Sequence, residues 1–525
     1  MKLPGIGTSG GYRTVTQTEF GGYDHRPAAE DGSLWDMKNM SGRYAPALSP
    51  REPRGRLPDV PGPQALFAGE KLCWAAAGGF WWDGERKGEL SPGPKRMAEL
   101  GGMILIFPDG VFYRPADDSY GSLGAEVSFS GAVFEDGTLY GVPAAANTLR
   151  CDSVDFSAVF SPGDGVTISG CAELPENNKT IIVREISEDG HCLRFYENSF
   201  TAGSESAAVT VKREVPALEY VCVNDNRLWG CSGDTIHASK LGDPRNFNVF
   251  DGLSTDAWAS QVGERGPFTG CVSYQGYPIF FTEEGVYKVY GDRPANYSWT
   301  PSARLGVAEG SGGSLAVAGE TLFYLSRAGV AAYGGGMPEI ISAALGEGRL
   351  RSAVAGSDGL RYYISVEEAD GRVSLFVYDT ARGMWHREDG SRAVGFAFYE
   401  GSLHMLREDG SLWRLSGPEA GQAGEGRVAW MAETGDFSDS SPRRKQLLRL
   451  LLRGEMEAGS RITVEIAYDS GPWQRLGELE AREKRSFQLP LLPRRTDHYR
   501  LRLRGEGQVI LYSLARERAG SSERP

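Results

Sequence analysis

Gly401-Ser402-Leu403-His404-Met405-Leu406, a turn through Asp409, and then Gly410-Ser411-Leu412-Trp413-Arg414-Leu415 form one unit: glycine, apolar strand, turn, glycine, second apolar strand. The plan recurs upstream. Gly276-Tyr277-Pro278-Ile279-Phe280-Phe281 leads to Gly285-Val286-Tyr287-Lys288-Val289-Tyr290, and Gly319-Glu320-Thr321-Leu322-Phe323-Tyr324 leads to Gly329-Val330-Ala331-Ala332-Tyr333. Gly102-Met103-Ile104-Leu105-Ile106-Phe107 is followed in the same way by Gly110-Val111-Phe112-Tyr113. About seven such units fit between residues 67 and 415, a spacing that predicts four-stranded blades of a β-propeller. Asp-Gly dipeptides punctuate the strands, among them Asp31-Gly32, Asp83-Gly84, Asp358-Gly359, Asp370-Gly371, Asp389-Gly390 and Asp409-Gly410. They are expected to form two-residue hairpin turns, whose central positions both need positive φ.

The repeat stops between residues 145 and 216. Strand-like runs of another kind, such as Gly165-Val166-Thr167-Ile168-Ser169 and Thr180-Ile181-Ile182-Val183, take its place. The expected organisation is an extended leader over residues 1–58, propeller over 59–144 and 217–416, and a small β-barrel or sandwich inserted over 145–216. A linker over 417–427, a C-terminal β-sandwich over 428–517 and a tail over 518–525 complete it. Alternation of apolar and cationic residues in Tyr499-Arg500-Leu501-Arg502-Leu503-Arg504 marks a half-buried antiparallel strand of that sandwich.

Composition agrees with an all-β chain. Among 525 residues there are 70 Gly, 28 Pro, 22 Tyr, 22 Phe and 11 Trp, many turns between many short aromatic strands. The seven cysteines form no C-x-x-C pair and read as small buried hydrophobes. Met1-Lys2-Leu3-Pro4-Gly5 has no basic region leading into an apolar stretch, so no secretory signal is expected, and no apolar run is long enough for membrane insertion. The net charge of −13 is uneven: residues 428–525 carry 18 Lys and Arg against 14 Asp and Glu, which leaves −17 on the remainder. An acidic body does not hold nucleic acid, because affinity for phosphate comes from Lys and Arg displacing counterions.

The search for chemistry returns little. Six histidines show neither i, i+4 pairing around a carboxylate nor company with a cysteine cluster, so no metal site is expected. Gly7-Thr8-Ser9-Gly10-Gly11 fits the G-x-S-x-G spelling, but no strand precedes it and no helix follows. No phosphate-cradling glycine loop is present and no cofactor is expected. An Asp/Glu pair at glycosidase spacing in a propeller pocket is the chemistry an alternative function would need. Trp385-His386-Arg387-Glu388-Asp389 reads as an outer blade strand running into a turn.

Three stretches are candidate interfaces instead. In the leader, Arg51, Arg54 and Arg56 lie among Pro50, Pro53 and Pro58, which suggests an extended segment along a surface. The loop from Lys240 to Trp258 offers Asp243, Arg245, Phe247 and Trp258, read either as a structured loop or as a subunit contact. Arg500, Arg502 and Arg504 read either as a cationic row that docks an acidic partner or as a solvated sheet face.

Phe20-Gly21-Gly22-Tyr23, Asp31-Gly32 through Asp36-Met37-Lys38-Asn39-Met40, and Pro46-Ala47-Leu48-Ser49-Pro50-Arg51 together resemble the leader of a family of prophage structural proteins from Firmicutes. Gly242-Asp243-Pro244-Arg245-Asn246-Phe247 and Glu433-Thr434-Gly435-Asp436-Phe437 resemble the same family, and the likeness runs over essentially the whole chain. Those proteins look like distant relatives of the packaged-DNA stabilisation proteins, or tail nozzles, of short-tailed phages. The resemblance implies a virion protein of the tail or neck, assembled in the bacterial cytoplasm as a homo-oligomeric, sixfold ring around the DNA exit channel. Neighbouring tail, portal or adaptor proteins are its implied partners, DNA passes without specific binding, and no catalytic residues carry over. The alternative is a receptor-binding or glycan-processing propeller at the tail tip.

Overall fold

The computed structural model describes residues 12–27, 29, 33–136, 146–197, 199–250, 252–263, 266–416, 424–438, 444–480 and 483–519. The chain divides into two compact units, residues 69–307 in one and residues 1–68 with 308–525 in the other. Among the described residues the fold is all-β apart from short 3-10 turns.

In the 69–307 unit four blade sheets follow one another. Leu72–Ala76, Gly79–Trp82 and Glu85–Glu89 belong to the first, and Arg96–Leu100, Met103–Phe107, Val111–Arg114 and Ser119–Ser122 make the second. Tyr220–Asn224, Arg227–Ser232, Thr235–Ala238 and Trp258–Gln261 make the third. Phe268–Tyr274, Tyr277–Thr282, Gly285–Tyr290 and Ser298–Ala303 make the fourth. Each pairs antiparallel in sequence order, as hairpins joined by tight turns must. First strands of successive sheets lie side by side, Arg96–Leu100 with Tyr220–Asn224 and the latter with Phe268–Tyr274.

The other unit holds three blade sheets. Ala316–Ala318 begins the fifth, Arg351–Ser357 the sixth and Ala393–Tyr399 the seventh. Among the described residues the seventh has three consecutive strands of its own. Its fourth is Gly55–Arg56 from the leader, paired with Leu412–Arg414. The seven blade sheets make this a β-propeller chain with an inserted β-domain and a C-terminal β-sandwich.

The insert begins earlier than residue 145. Ala125–Phe129 and Ala132–Asp136 already belong to an eight-stranded sheet whose last strand in sequence, Val209–Arg213, pairs with Ala125–Phe129. Ala-Glu-Val-Ser-Phe alternates as a blade strand does, so periodicity could not separate the two. Core membership does: Phe129 and Phe134 bury against Phe156, Phe195 and Phe200, away from any blade.

The leader and the sandwich also differ from expectation. The sandwich consists of two five-stranded sheets, and the leader supplies an edge strand to each. Tyr12–Gln17 pairs with Val509–Ala519, and Leu34–Lys38 pairs with Ala429–Thr434. Arg518 and Ala519, expected in the tail, close the last strand. Phe20, Tyr23, Leu34 and Met37 enter one core with Trp385, Trp430, Ile466 and Leu501. The leader is therefore built into the fold, because its large apolar side chains have no hairpin partner nearby in sequence.

The Asp-Gly turns are mostly of another kind as well. Asp83-Gly84 has positive φ at both residues. At 358, 370, 389 and 409 the aspartate keeps negative φ, and its carboxylate accepts a backbone N–H two residues on. A short side chain that bonds its own backbone makes the turn without the strained conformation. Paired positive φ falls instead at Ala77-Gly78, Asp225-Asn226, Gln275-Gly276 and Glu400-Gly401. Asp31-Gly32, Asp251 and Gly7 to Gly11 lie outside the described residues. All seven cysteines are free, and all but Cys222 are buried.

Because each sandwich sheet borrows a leader strand, a fragment of residues 428–519 lacks both. We expect it to melt well below the whole chain by circular dichroism, and to be restored by adding a leader peptide of residues 12–58. Equal melting with and without the peptide would show that the sandwich is independent.

Candidate functional site

The candidate residues form three clusters. Arg51 and Arg54 follow a short leader strand, Ser49–Pro50. Neither lies on a surface: both are buried, Arg54 to 3% exposure. Arg54 Nη2 donates to Glu388 Oε2 at 2.5 Å and Nη1 to Asp389 Oδ2 at 2.6 Å. Arg51 Nη2 donates to Glu425 Oε1 at 2.6 Å, and its Nε donates to Asn39 Oδ1 at 3.0 Å. The Arg54 backbone N–H completes the cluster on Glu425 Oε2 at 2.9 Å. Burial works against the Arg54 charge, but Asp389 and Glu388 outweigh it and hold its pKa up. Burial likewise opposes ionisation of Asp389, and Arg54, with Ser391 and Arg51, holds that carboxyl far below the carboxylate range. The surface reading failed because no acid near Arg54 in sequence reveals the pairing; the partners come 334 to 371 residues later. Arg56, more exposed, pairs with Asp59 at 3.0 Å. The end of the expected linker is pinned too, since Gly424 bridges to Gly55 beside Glu425; residues 417–423 lie outside the described ones.

The segment Trp385 to Asp389 is, as expected, an outer strand, Met384–Arg387, running into a turn. Its His386 is buried, and burial pushes its pKa down to about 4, with Asp379 pulling the other way.

The 240–258 loop is a structured loop. Arg227, buried at the start of the strand Arg227–Ser232, donates to the carbonyls of Ser239, Asp256 and Ser254 at 2.7, 2.6 and 2.6 Å. Asp243 accepts from Arg245 Nε at 3.0 Å and from Asn246 Nδ2 at 2.7 Å. Asn246 also reaches the insert, donating to Asp164 Oδ1 at 3.2 Å and accepting from Gly165 N–H at 2.9 Å. Arg213 bonds the other Asp164 oxygen, so one buried carboxylate joins the loop to the last strand of the insert. Phe247 is buried with Phe107 and Leu218, and Trp258 packs against Trp229 and Tyr297 at 5.9 and 5.7 Å between ring centroids. The aromatics read as interface anchors thus face inward, while Leu241, Val249 and Leu253 are the exposed apolar residues of the loop.

The arginine row is not a free cationic stripe. Arg500 Nη1 and Arg502 Nε donate to the two oxygens of buried Glu433 at 3.0 and 2.8 Å. Arg504 Nε lies 3.4 Å from Glu465 Oε2, and the Arg502 guanidinium lies 3.8 Å from the Trp473 ring centroid. Sheet register explains it. Arg502 stands between Glu433 on one neighbouring strand and Glu465 on the other, which the Tyr499–Glu506 pattern alone does not disclose. The side chain of Arg502 is 17% exposed and that of Arg504 56%, so only the latter faces water.

A cleft of about 790 Å³ opens in the 69–307 unit, lined among others by Asp109, Glu126, Lys212, Glu214, His237 and Asn248. Its carboxylates have cationic partners. Lys212 Nζ lies 3.1 Å from Glu214 and 3.5 Å from Glu126, and Lys95 Nζ lies 2.6 Å from Asp109. Burial raises Asp109, but Lys95 and Ser91 outweigh it and leave the group low. The same holds elsewhere: Asp24, Asp243 and Glu425 are all shifted downward. A general acid for glycoside cleavage needs a carboxyl shifted upward, and these groups are built to stay ionised. Among the described residues no group of three or more His, Cys, Asp or Glu is arranged to hold a metal.

No family model matches the chain, and no curated protein matches it. Among solved structures, the chain is similar to the computationally designed Ika8 protein at 12% identity, covering 69% of this chain and 99% of that one, with a TM-score of 0.34. It is similar to BamB from Moraxella catarrhalis at 12% identity over 72% and 97% of the two chains, TM-score 0.32. It is also similar to the endosialidase of phage phi92 at 9% identity over 76% and 75%, TM-score 0.26.

Two expectations follow. Replacing Arg54 with Met leaves buried Glu388 and Asp389 only the more distant Arg51, at 3.5 and 3.8 Å, which should cost about 3 kcal/mol in urea unfolding; a loss below about 1 kcal/mol would mean that the cluster is not a clamp. For His386, the unfolded side chain titrates near about 6.5. As pH falls the unfolded chain binds the proton first, so the stability held above about pH 6.5 is lost down to pH 4, about 3 kcal/mol in all. His386→Asn should flatten that limb of a pH series of unfolding curves, and an unchanged slope would assign it to other groups.

Proposed function

We propose that this chain is a structural subunit of a phage tail or neck, assembled in several copies as a ring around the DNA exit path. The observation that carries the reading is the commitment of its buried carboxylates to internal joints. Glu388 serves the Arg51–Arg54 clamp, Asp164 bolts the insert to the 240–258 loop, and Glu433 holds two arginines of the sandwich. Asp256 accepts the N–H groups of Gly252 and Leu253, and Glu205 those of Glu173, Leu174 and Ala207. A scaffold uses buried charge in this way, to hold distant segments in one register, whereas an acid–base enzyme sets two carboxyls in different protonation states. The resemblance of the leader and of the two motif loops to prophage structural proteins supplies the setting.

The charge suits the task. With −17 outside residues 428–525, the body repels phosphate over about a Debye length, roughly 10 Å at 0.1 M salt, so a duplex could pass a ring of such bodies without adhering. No helix among the described residues is long and apolar enough to cross a membrane.

Imaging intact particles with this subunit located by a bound antibody fragment tests the reading. The expected result is density in a ring at the neck or tail, together with weak duplex binding by the purified protein even at low salt. A position at the tail tip, with hydrolysis of bacterial surface glycans that disappears when one Asp or Glu is changed, would replace it by the glycan-processing alternative.

A further inference from the structure

The C-terminal sandwich carries a projection and a recess of matching chemistry. The projection is Pro490-Leu491-Leu492-Pro493, which joins the strands Arg485–Leu489 and Arg494–Thr496. Leu492 is 89% exposed, the largest value of any large hydrophobic side chain among the described residues. Prolines on both sides restrict the backbone, so the leucine is held outward at little entropic cost on docking. Arg494 and Arg495 follow it, both exposed, with Arg494 resting 5.6 Å from the Tyr468 ring centroid.

The recess has a volume of about 380 Å³. Tyr44, Ala458 and Ile510 contribute its apolar lining, and Glu52, Glu455 and Glu457 its carboxylates. Arg43 pairs with Glu52, and the Tyr512 hydroxyl donates to Glu455 at 2.7 Å. Three carboxylates against one guanidinium leave the rim acidic. A branched aliphatic tip with a basic collar is what such a recess accepts.

The two cannot meet within one molecule. Arg494 stands opposite Leu447 in the register of the strand Lys445–Met456. Glu455 is eight residues further along that strand, roughly 25 Å at strand rise. Both features are carried by every copy of the chain, at separate places on one rigid sandwich. We infer that Leu492 and its arginines dock into the Tyr44–Ala458–Ile510 recess of a second copy, head to tail. Different patches meeting in this way generate a closed ring when the rotation between copies closes, and an open filament when it does not. The inference rests on the ring reading of the proposed function and names the contact that would build the ring.

Sedimentation of the full chain over a concentration series tests it. The unmodified protein should associate beyond a dimer. Leu492→Asp should raise the concentration for half-assembly about tenfold or more, as expected for a central anchor residue. Leu492 is exposed, so thermal melting should be unchanged. Arg494→Glu/Arg495→Glu keeps the recess, and Glu455→Lys/Glu457→Lys keeps the projection. Each should be monomeric alone, and an equimolar mixture should associate beyond dimers, because the unmodified projection meets the unmodified recess at one contact and the charge-reversed pair meets at the next. Combining all four changes in one chain should restore association. Assembly of Leu492→Asp at the unmodified concentration, with each charge-reversed variant associating on its own, would place the contact elsewhere and leave the ring reading intact. A full chain that stays monomeric throughout would overturn the inference, and the ring reading would then stand or fall on the subunit's position in particles.

Discussion

The guanidinium of Arg54, buried between Glu388 and Asp389, is the contact on which the unit of residues 1–68 and 308–525 depends. Around it the leader serves three sheets in succession: a strand for each half of the sandwich, then the closing strand of the seventh blade sheet. Those contacts are made by strands of two to six residues, each weak by itself. An apolar strap in the same place could slide by two residues and still bury its side chains. A guanidinium that must satisfy two carboxylates at 2.5 and 2.6 Å has one position, so the clamp sets the register that the short strands cannot set themselves.

The same device appears in the unit of residues 69–307. An insert placed between the second and third blade sheets would swing on its two connections were nothing else to hold it. Asp164 and Arg213 form a buried pair within the insert, and Asn246 reaches over from the third blade's long loop to share the carboxylate. Each of these joints removes charge from water and is tolerated only because hydrogen bonds satisfy what remains. Loss of one partner therefore strands the other, which makes the joints points of failure as well as of specificity.

Much of the propeller was legible in the sequence because a blade is a local object. Glycine, strand, turn and strand lie within about twenty residues of one another, and Gly401 to Leu415 displays the pattern openly. What could not be read was non-local. Ala125–Phe129 has the alternation of any half-buried strand, and only Val209–Arg213, its partner some eighty residues on, shows which domain it serves. Arg51, Arg54, Arg500 and Arg502 were legible as cations but not as partnered ones, since their acids lie on strands brought alongside by the fold. Phe247 and Trp258 failed for a related reason: an aromatic in a loop can face either way, and here Phe107 and Trp229 turn them inward.

This pattern changes where an interface should be sought on such a chain. Arginines that alternate along a strand tend to find carboxylates across the sheet, because a cation on a crowded face is most stable beside its neighbours' acids. A residue free for a partner is one that sheet register cannot reach. In the sandwich that condition is met in a connection, where Leu492 stands between two prolines and Arg495 follows the turn, and at the end of the strand Lys445–Met456, where Glu457 passes out of the sheet. The interior of each unit consumes the charges that the sheets can pair, and those left over, at turns and strand ends, are the ones available to other molecules.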